Sequence, residues 1–194
     1  MQSYLTAVLE MIGPGRSDQP GPVGWGEVES LLGLELPSDF KEIVETYAPV
    51  TLNHHLTLTR PGTRFFNLAE RLVSEIKALE ESDWDSHGVS FRGATPRFGG
   101  PDGLIPVANT DRREAAFLVR SAGGESWHMA GMVLDGQFVE YGMGFSEWLY
   151  RYLVGENMFS PRSGVFYPGP LMIQDLPKGP GEPATVRRGP TRVI

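Results

Sequence analysis

Trp25-Gly26-Glu27-Val28-Glu29-Ser30-Leu31-Leu32-Gly33-Leu34-Glu35-Leu36-Pro37-Ser38-Asp39-Phe40-Lys41-Glu42-Ile43-Val44-Glu45-Thr46-Tyr47 is the stretch on which the reading of the fold turns. Trp25, Val28, Leu31 and Leu32 recur at helical spacing, and so do Leu36, Phe40, Ile43, Val44 and Tyr47, so each half predicts a short helix with one apolar face. Gly33 stands where a left-handed C-terminal cap is wanted. Pro37, Ser38 and Asp39 suit the first turn of the second helix, the carboxylate favourably placed at the positive end of its dipole. The expectation is a helical hairpin that must bury its apolar face against something else.

Working outward, Tyr4, Leu5, Val8, Leu9 and Ile12 predict a helix over residues 1–12. The Gly/Pro-rich connector of residues 13–24 cannot be helical. Leu56-Thr57-Leu58-Thr59 predicts a first strand. Asn67 to Leu79 predicts a longer helix, capped by Asn67 with Glu70 three residues on, its face lined by Leu68, Leu72, Ile76 and Leu79. Leu104 to Ala108 and Ala115 to Val119 read as strands. Trp127 to Leu134 and Gln137 to Tyr141 flank Asp135-Gly136, which predicts a hairpin with a two-residue loop. Phe145 to Leu153 reads as a closing helix, with Ser146 as N-cap and Phe145 stapled to Tyr150.

From Gly155 on, Gly, Pro and Arg dominate. Such a segment builds no core of its own, yet Val165, Phe166, Tyr167, Leu171, Met172 and Ile173 suit an extended arm lying along the body. The expected division is residues 1–22 as helix and linker, 23–154 as the main domain, and 155–194 as an arm that is partly docked and loose at its end.

With 194 residues, 40% apolar and 21% charged, the chain has the composition of a globular domain. No apolar run suits a bilayer span, no cationic-then-apolar leader opens the chain, and there are no cysteines. A cytoplasmic protein without disulfides is expected. Residues 1–154 hold 12 Lys+Arg against 21 Asp+Glu, a net of −9, whereas residues 155–194 hold 5 against 3, a net of +2; together they give the −7 of the whole chain. That charge disfavours direct nucleic-acid binding and would speed association with a basic partner, although solubility alone is the commoner reason for such acidity.

No grouping of residues points to chemistry. The adjacent His54 and His55 point to opposite sides of a strand, and His87 and His128 are isolated, so neither a metal ion nor a cofactor is expected. Glu80-Glu81-Ser82-Asp83-Trp84-Asp85-Ser86-His87 has the ingredients of a hydrolase, but consecutive residues cannot converge on a substrate. The same stretch suits an interface, with an aromatic anchor ringed by carboxylates; equally, Trp84 suits a core position following a solvated helix end. Phe98-Gly99-Gly100-Pro101-Asp102-Gly103 matches no phosphate loop and reads as a turn.

The order Trp25, Val28-Glu29, Leu32-Gly33, Leu36-Pro37-Ser38-Asp39-Phe40-Lys41, followed by Gly103-Leu104-Ile105-Pro106 and by Phe145-Ser146-Glu147-Trp148-Leu149, resembles the Smi1/Knr4 family of the SUKH superfamily over roughly residues 23–154. Tyr47-Ala48-Pro49 departs from the Tyr-Gly usual there, and Asp111-Arg112-Arg113-Glu114 lacks the usual Gly-Asp. The resemblance implies an α+β fold: N-terminal helices packed on a mostly antiparallel sheet, a closing helix, and here an added Gly/Pro-rich C-terminal arm. It also implies a non-catalytic protein-binding domain. Bacterial members are commonly immunity proteins that neutralise co-encoded toxins, nucleases among them; the alternative is a regulatory scaffold, with the arm as tether or lid. Glu80, Glu81, Asp83, Trp84, Asp85, Asp102 and Asp111 are the expected contacts for a basic toxin domain, with neither membrane nor nucleic acid as partner.

Overall fold

The computed structural model describes residues 3–16, 23–121, 124, 126–133, 136–159 and 169–190. The expected helical hairpin is α2 (Trp25–Leu32) and α3 (Ser38–Tyr47), preceded by α1 (Tyr4–Ile12). Gly33 closes α2 at φ 68°, its N–H donating to the Glu29 carbonyl. The sheet begins with β1 (Val50–Leu52) and β2 (Leu56–Leu58), and α4 (Leu68–Glu80) follows, with the Asn67 side chain accepting from the Ala69 N–H at 2.9 Å. Then come β3 (Ile105–Thr110), β4 (Ala115–Arg120), β5 (Trp127–Met132), β6 (Phe138–Tyr141), α5 (Phe145–Leu153), β7 (Met172–Asp175) and β8 (Thr185–Arg188).

Eight strands form one antiparallel sheet in the order β6-β5-β4-β3-β2-β1-β7-β8. The chain is therefore α+β. Successive residues of a strand face opposite sides, and β4 is buried on both. Ala116 and Leu118 join the main core beneath the helices, whereas Phe117 and Val119 join a second, aromatic core with Phe98, Leu104 and Ala130. The irregular segment of residues 81–104 covers that second face.

Phe40 of α3 meets Trp25 edge-on at 5.9 Å and Phe145 at 4.9 Å, and the chain of rings continues through Trp148 to Tyr152. The hairpin thus buries its face against the closing helix. The start of α5 differs from expectation. Gly144, not Ser146, is its N-cap, and the Ser146 N–H is bound from outside by Asp39 Oδ2 at 2.9 Å. A carboxylate 107 residues away thereby satisfies one of the N–H groups in the helix's first turn. Phe145 packs on Phe40 and Trp148 rather than on Tyr150, whose ring lies against Tyr4.

Two further expectations change. Between β5 and β6, Gly136 donates to the Val133 carbonyl and Val133 to the Gln137 carbonyl, with Gly136 at φ 79°. These are the closing bonds of a three-residue loop with a glycine bulge, not of a two-residue turn; Leu134 and Asp135 lie outside the described residues. The β3–β4 connection closes the same way at Thr110 and Glu114, and there Arg113 occupies the left-handed position at φ 65°.

The C-terminal segment enters the body of the sheet. Residues 172–175 pair with β1, and residues 185–188, where a loose end was expected, pair with β7. Leu171 and Ile173 lie in the same core as Val8 and Ile12 of α1 and the hairpin. Val165, Phe166 and Tyr167 lie outside the described residues. Among those described, no helix is long and apolar enough to cross a membrane.

Candidate functional site

The acidic stretch follows directly from the end of α4. Glu80, Glu81, Asp83 and Asp85 are exposed, so four carboxylates stand on one ridge within six residues. A loose ion pair, Lys77 to Glu81 at 3.8 Å, offsets them in part. The ridge is held in shape from within. Asp83 accepts from both the hydroxyl and the N–H of Ser86, which hold its carboxyl below the usual aspartate range. Asp85 accepts from the Thr95 hydroxyl at 2.6 Å.

Trp84 faces inward. Its indole N–H donates to the Leu79 carbonyl at 2.6 Å, and its ring meets Phe98 and Phe138 in the second core. One edge remains open at a shallow cavity of about 190 Å³ with Asp83, His87 and Val89. The wedge fixes the ridge while the carboxylates stay in water.

Asp102 lies in the turn before β3 and shares a cavity of about 240 Å³ with Arg92 and Arg120. Asp111 is at the far end of β3, about 20 Å away along six strand residues. The structure thus brings Glu80, Glu81, Asp83, Trp84 and Asp85 together and sets Asp111 apart.

Beside the ridge, α2 and α4 enclose a groove of about 430 Å³, with Leu31, Val73 and Ile76 on its walls, Phe98 among its lining and Glu80 at its rim. Leu31, expected on the buried face of its helix, is exposed. One residue is about 100° of helix rotation, so Trp25, Val28 and Leu32 fill the contact and turn Leu31 aside. Val73 lies off the stripe of Leu68, Leu72, Ile76 and Leu79 and is exposed as well.

Asp111 belongs to a different cluster. His55 is 2% exposed, its Nδ1 hydrogen-bonded to the Tyr152 hydroxyl and its Nε2 at 3.4 Å from Asp111 and 3.7 Å from Glu114. Glu114 is fully buried, accepting from the Thr110 hydroxyl at 3.0 Å. Sequence reasoning missed this network; the only local signal was a carboxylate directly preceding the apolar run of β4. Burial lowers the His55 pKa below its usual value, against the opposing pull of Asp111 and Glu114. His54 is exposed, as is His87, and His128 binds Glu140 and Arg92. Among the described residues, no group of three or more His, Cys, Asp or Glu is arranged to hold a metal ion.

The His55 geometry sets a pH dependence. A histidine whose pKa is lower folded than unfolded binds its proton more readily when the chain unfolds, so its contribution is complete above about pH 6.5 and is lost as pH falls from there through the folded value. The midpoint of thermal unfolding is expected to fall between about pH 6.5 and 5, with a visibly flatter profile in His55→Gln. Equal slopes for the two proteins would contradict this.

No protein-family model, no curated protein and no solved structure matches this chain. The functional reading accordingly rests on the ridge, the groove and the charge of the chain.

Proposed function

We propose that the protein is a non-catalytic binding domain that acts as an immunity protein, covering the basic active site of a co-encoded toxin, a nuclease being the simplest case. The observation that carries this reading is the ridge of Glu80, Glu81, Asp83 and Asp85. Four carboxylates held by a rigid, aromatic-wedged loop pay little ordering entropy on binding and present a field that steers a cationic partner. The net charge of −7 adds to that field. Tyr152 and His55, which have the connectivity of an activated hydroxyl, are 7% and 2% exposed and are read as structural.

Co-expression with the product of the adjacent reading frame tests the proposal. A 1:1 complex that weakens with salt and abolishes the neighbour's toxicity is the expected result. Absence of both would overturn it in favour of a regulatory scaffold. Within such a complex, Glu80→Lys, Glu81→Lys and Asp85→Lys combined are expected to slow association about tenfold or more at low salt and to flatten its salt dependence. An unchanged association rate would remove the ridge as the docking face.

A further inference from the structure

Seven large hydrophobic side chains are exposed among the described residues, and four of them gather around α4: Leu31 at 48%, Phe65 at 41%, Phe66 at 43% and Val73 at 53%. Phe66 has φ 55°, a left-handed conformation that a bulky side chain rarely adopts. The loop that carries it is closed by its own backbone. Arg60 N–H donates to the Phe66 carbonyl at 3.1 Å and Leu68 N–H to the Arg60 carbonyl at 3.0 Å, while the N–H groups of Arg64 and Phe65 both donate to the Lys178 carbonyl. Two aromatic rings are thus held out to solvent by a strained loop with backbone bonds at both ends, an arrangement concentrated at binding sites.

The exposed stripe of α4 runs Glu70, Val73, Lys77, Glu81, at steps of three and four that keep these residues on one face. Read in the opposite direction, the stripe complements itself. An antiparallel pairing of two α4 helices centred between Val73 and Ser74 sets Glu70 of each copy against Lys77 of the other. It places Val73 beside the two-fold axis. It also sends the loop that carries Arg64 and Phe66 toward the C-terminal end of the other copy's α4, where Glu81 and Asp83 follow and the groove between α2 and α4 opens. Opposite charges, an apolar centre and a knob that meets a groove are what an isologous contact requires.

We infer that the α2–α4 face is a self-complementary surface through which two copies of this chain associate about a two-fold axis, with Val73 of each copy beside the axis and Phe66 of each meeting the Glu80 end of the other's groove. The contact engages Glu81 and Asp83, so a basic partner on the ridge competes with it. The self-association itself is measured on the protein alone and does not depend on whether such a partner exists.

Sedimentation velocity of the full chain over about 1–100 μM is expected to show a reversible monomer–dimer equilibrium, as befits a small, partly polar interface. Val73→Arg should weaken it by about tenfold or more, as should Glu70→Lys or Lys77→Glu alone, and the Glu70→Lys/Lys77→Glu double variant should restore it because the exchanged charges again meet their opposites. These positions are exposed, and circular dichroism of each variant confirms an unchanged fold. A wild-type monomer throughout the range would overturn the inference. So would a dimer indifferent to Val73→Arg, or a double variant no better than the single reversals.

Discussion

Deletion of residues 154–194 is expected to leave a chain with no cooperative unfolding transition. The cut removes β7, which pairs with β1 through Val50, Thr51 and Leu52, and β8 beyond it. It also removes Met158, Phe159, Leu171, Ile173 and Leu176 from the core. At about 2 kcal/mol for each buried side chain, roughly 10 kcal/mol is lost, comparable with the entire stability of a typical domain. Asn53 loses its paired bonds with Met172, Arg16 its bond to the Leu176 carbonyl, and the Arg60–Asn67 loop its anchor at Lys178. What remains exposes β1 as a bare edge, a template for aggregation. Urea titration followed by far-UV circular dichroism checks this, and a sharp two-state transition in the deleted protein would refute it. Loss of partner binding in such a deletion would therefore say nothing about whether the arm touches the partner.

Phe40→Ala is expected to cost about 3–5 kcal/mol, the range for removing a fully buried aromatic ring. Phe40 joins the hairpin to the closing helix by meeting Trp25 on one side and Phe145 on the other. Its loss leaves a cavity between three helices and strips two aromatic contacts, each worth about 1 kcal/mol beyond area burial. The chemical-denaturation midpoint should fall steeply with the m-value unchanged. A shift of less than about 1 kcal/mol would mean that the three helices close over the gap.

The helical hairpin was legible because its signals are local. Apolar spacing at 3.6 residues, Gly33 at a left-handed cap and Asp39 in a first turn need no knowledge of the rest of the chain. The start of α5 was not, because the group that caps it, Asp39, comes from another helix. Of the candidate site, the ridge carboxylates were legible as a run of charge. The inward turn of Trp84 was legible only as one of two alternatives, since the choice depends on Phe98 and Phe138 meeting across the second core. The grouping of Asp111 with the ridge fails for a similar reason: the fold gathers it with His55 and Glu114 instead.

By itself, then, the sequence determined the helices, most strands, the acidity of the body and the position of its carboxylate ridge, all of which follow from periodicity, capping chemistry and composition within a few turns of chain. Only the tertiary structure decided that the Gly/Pro-rich segment supplies two strands, that His55 and Glu114 are sealed inside, and that Leu31, Phe66 and Val73 face outward together. Those outcomes depend on which surfaces meet across roughly 100 residues of chain. Burial, not local propensity, selects among such pairings.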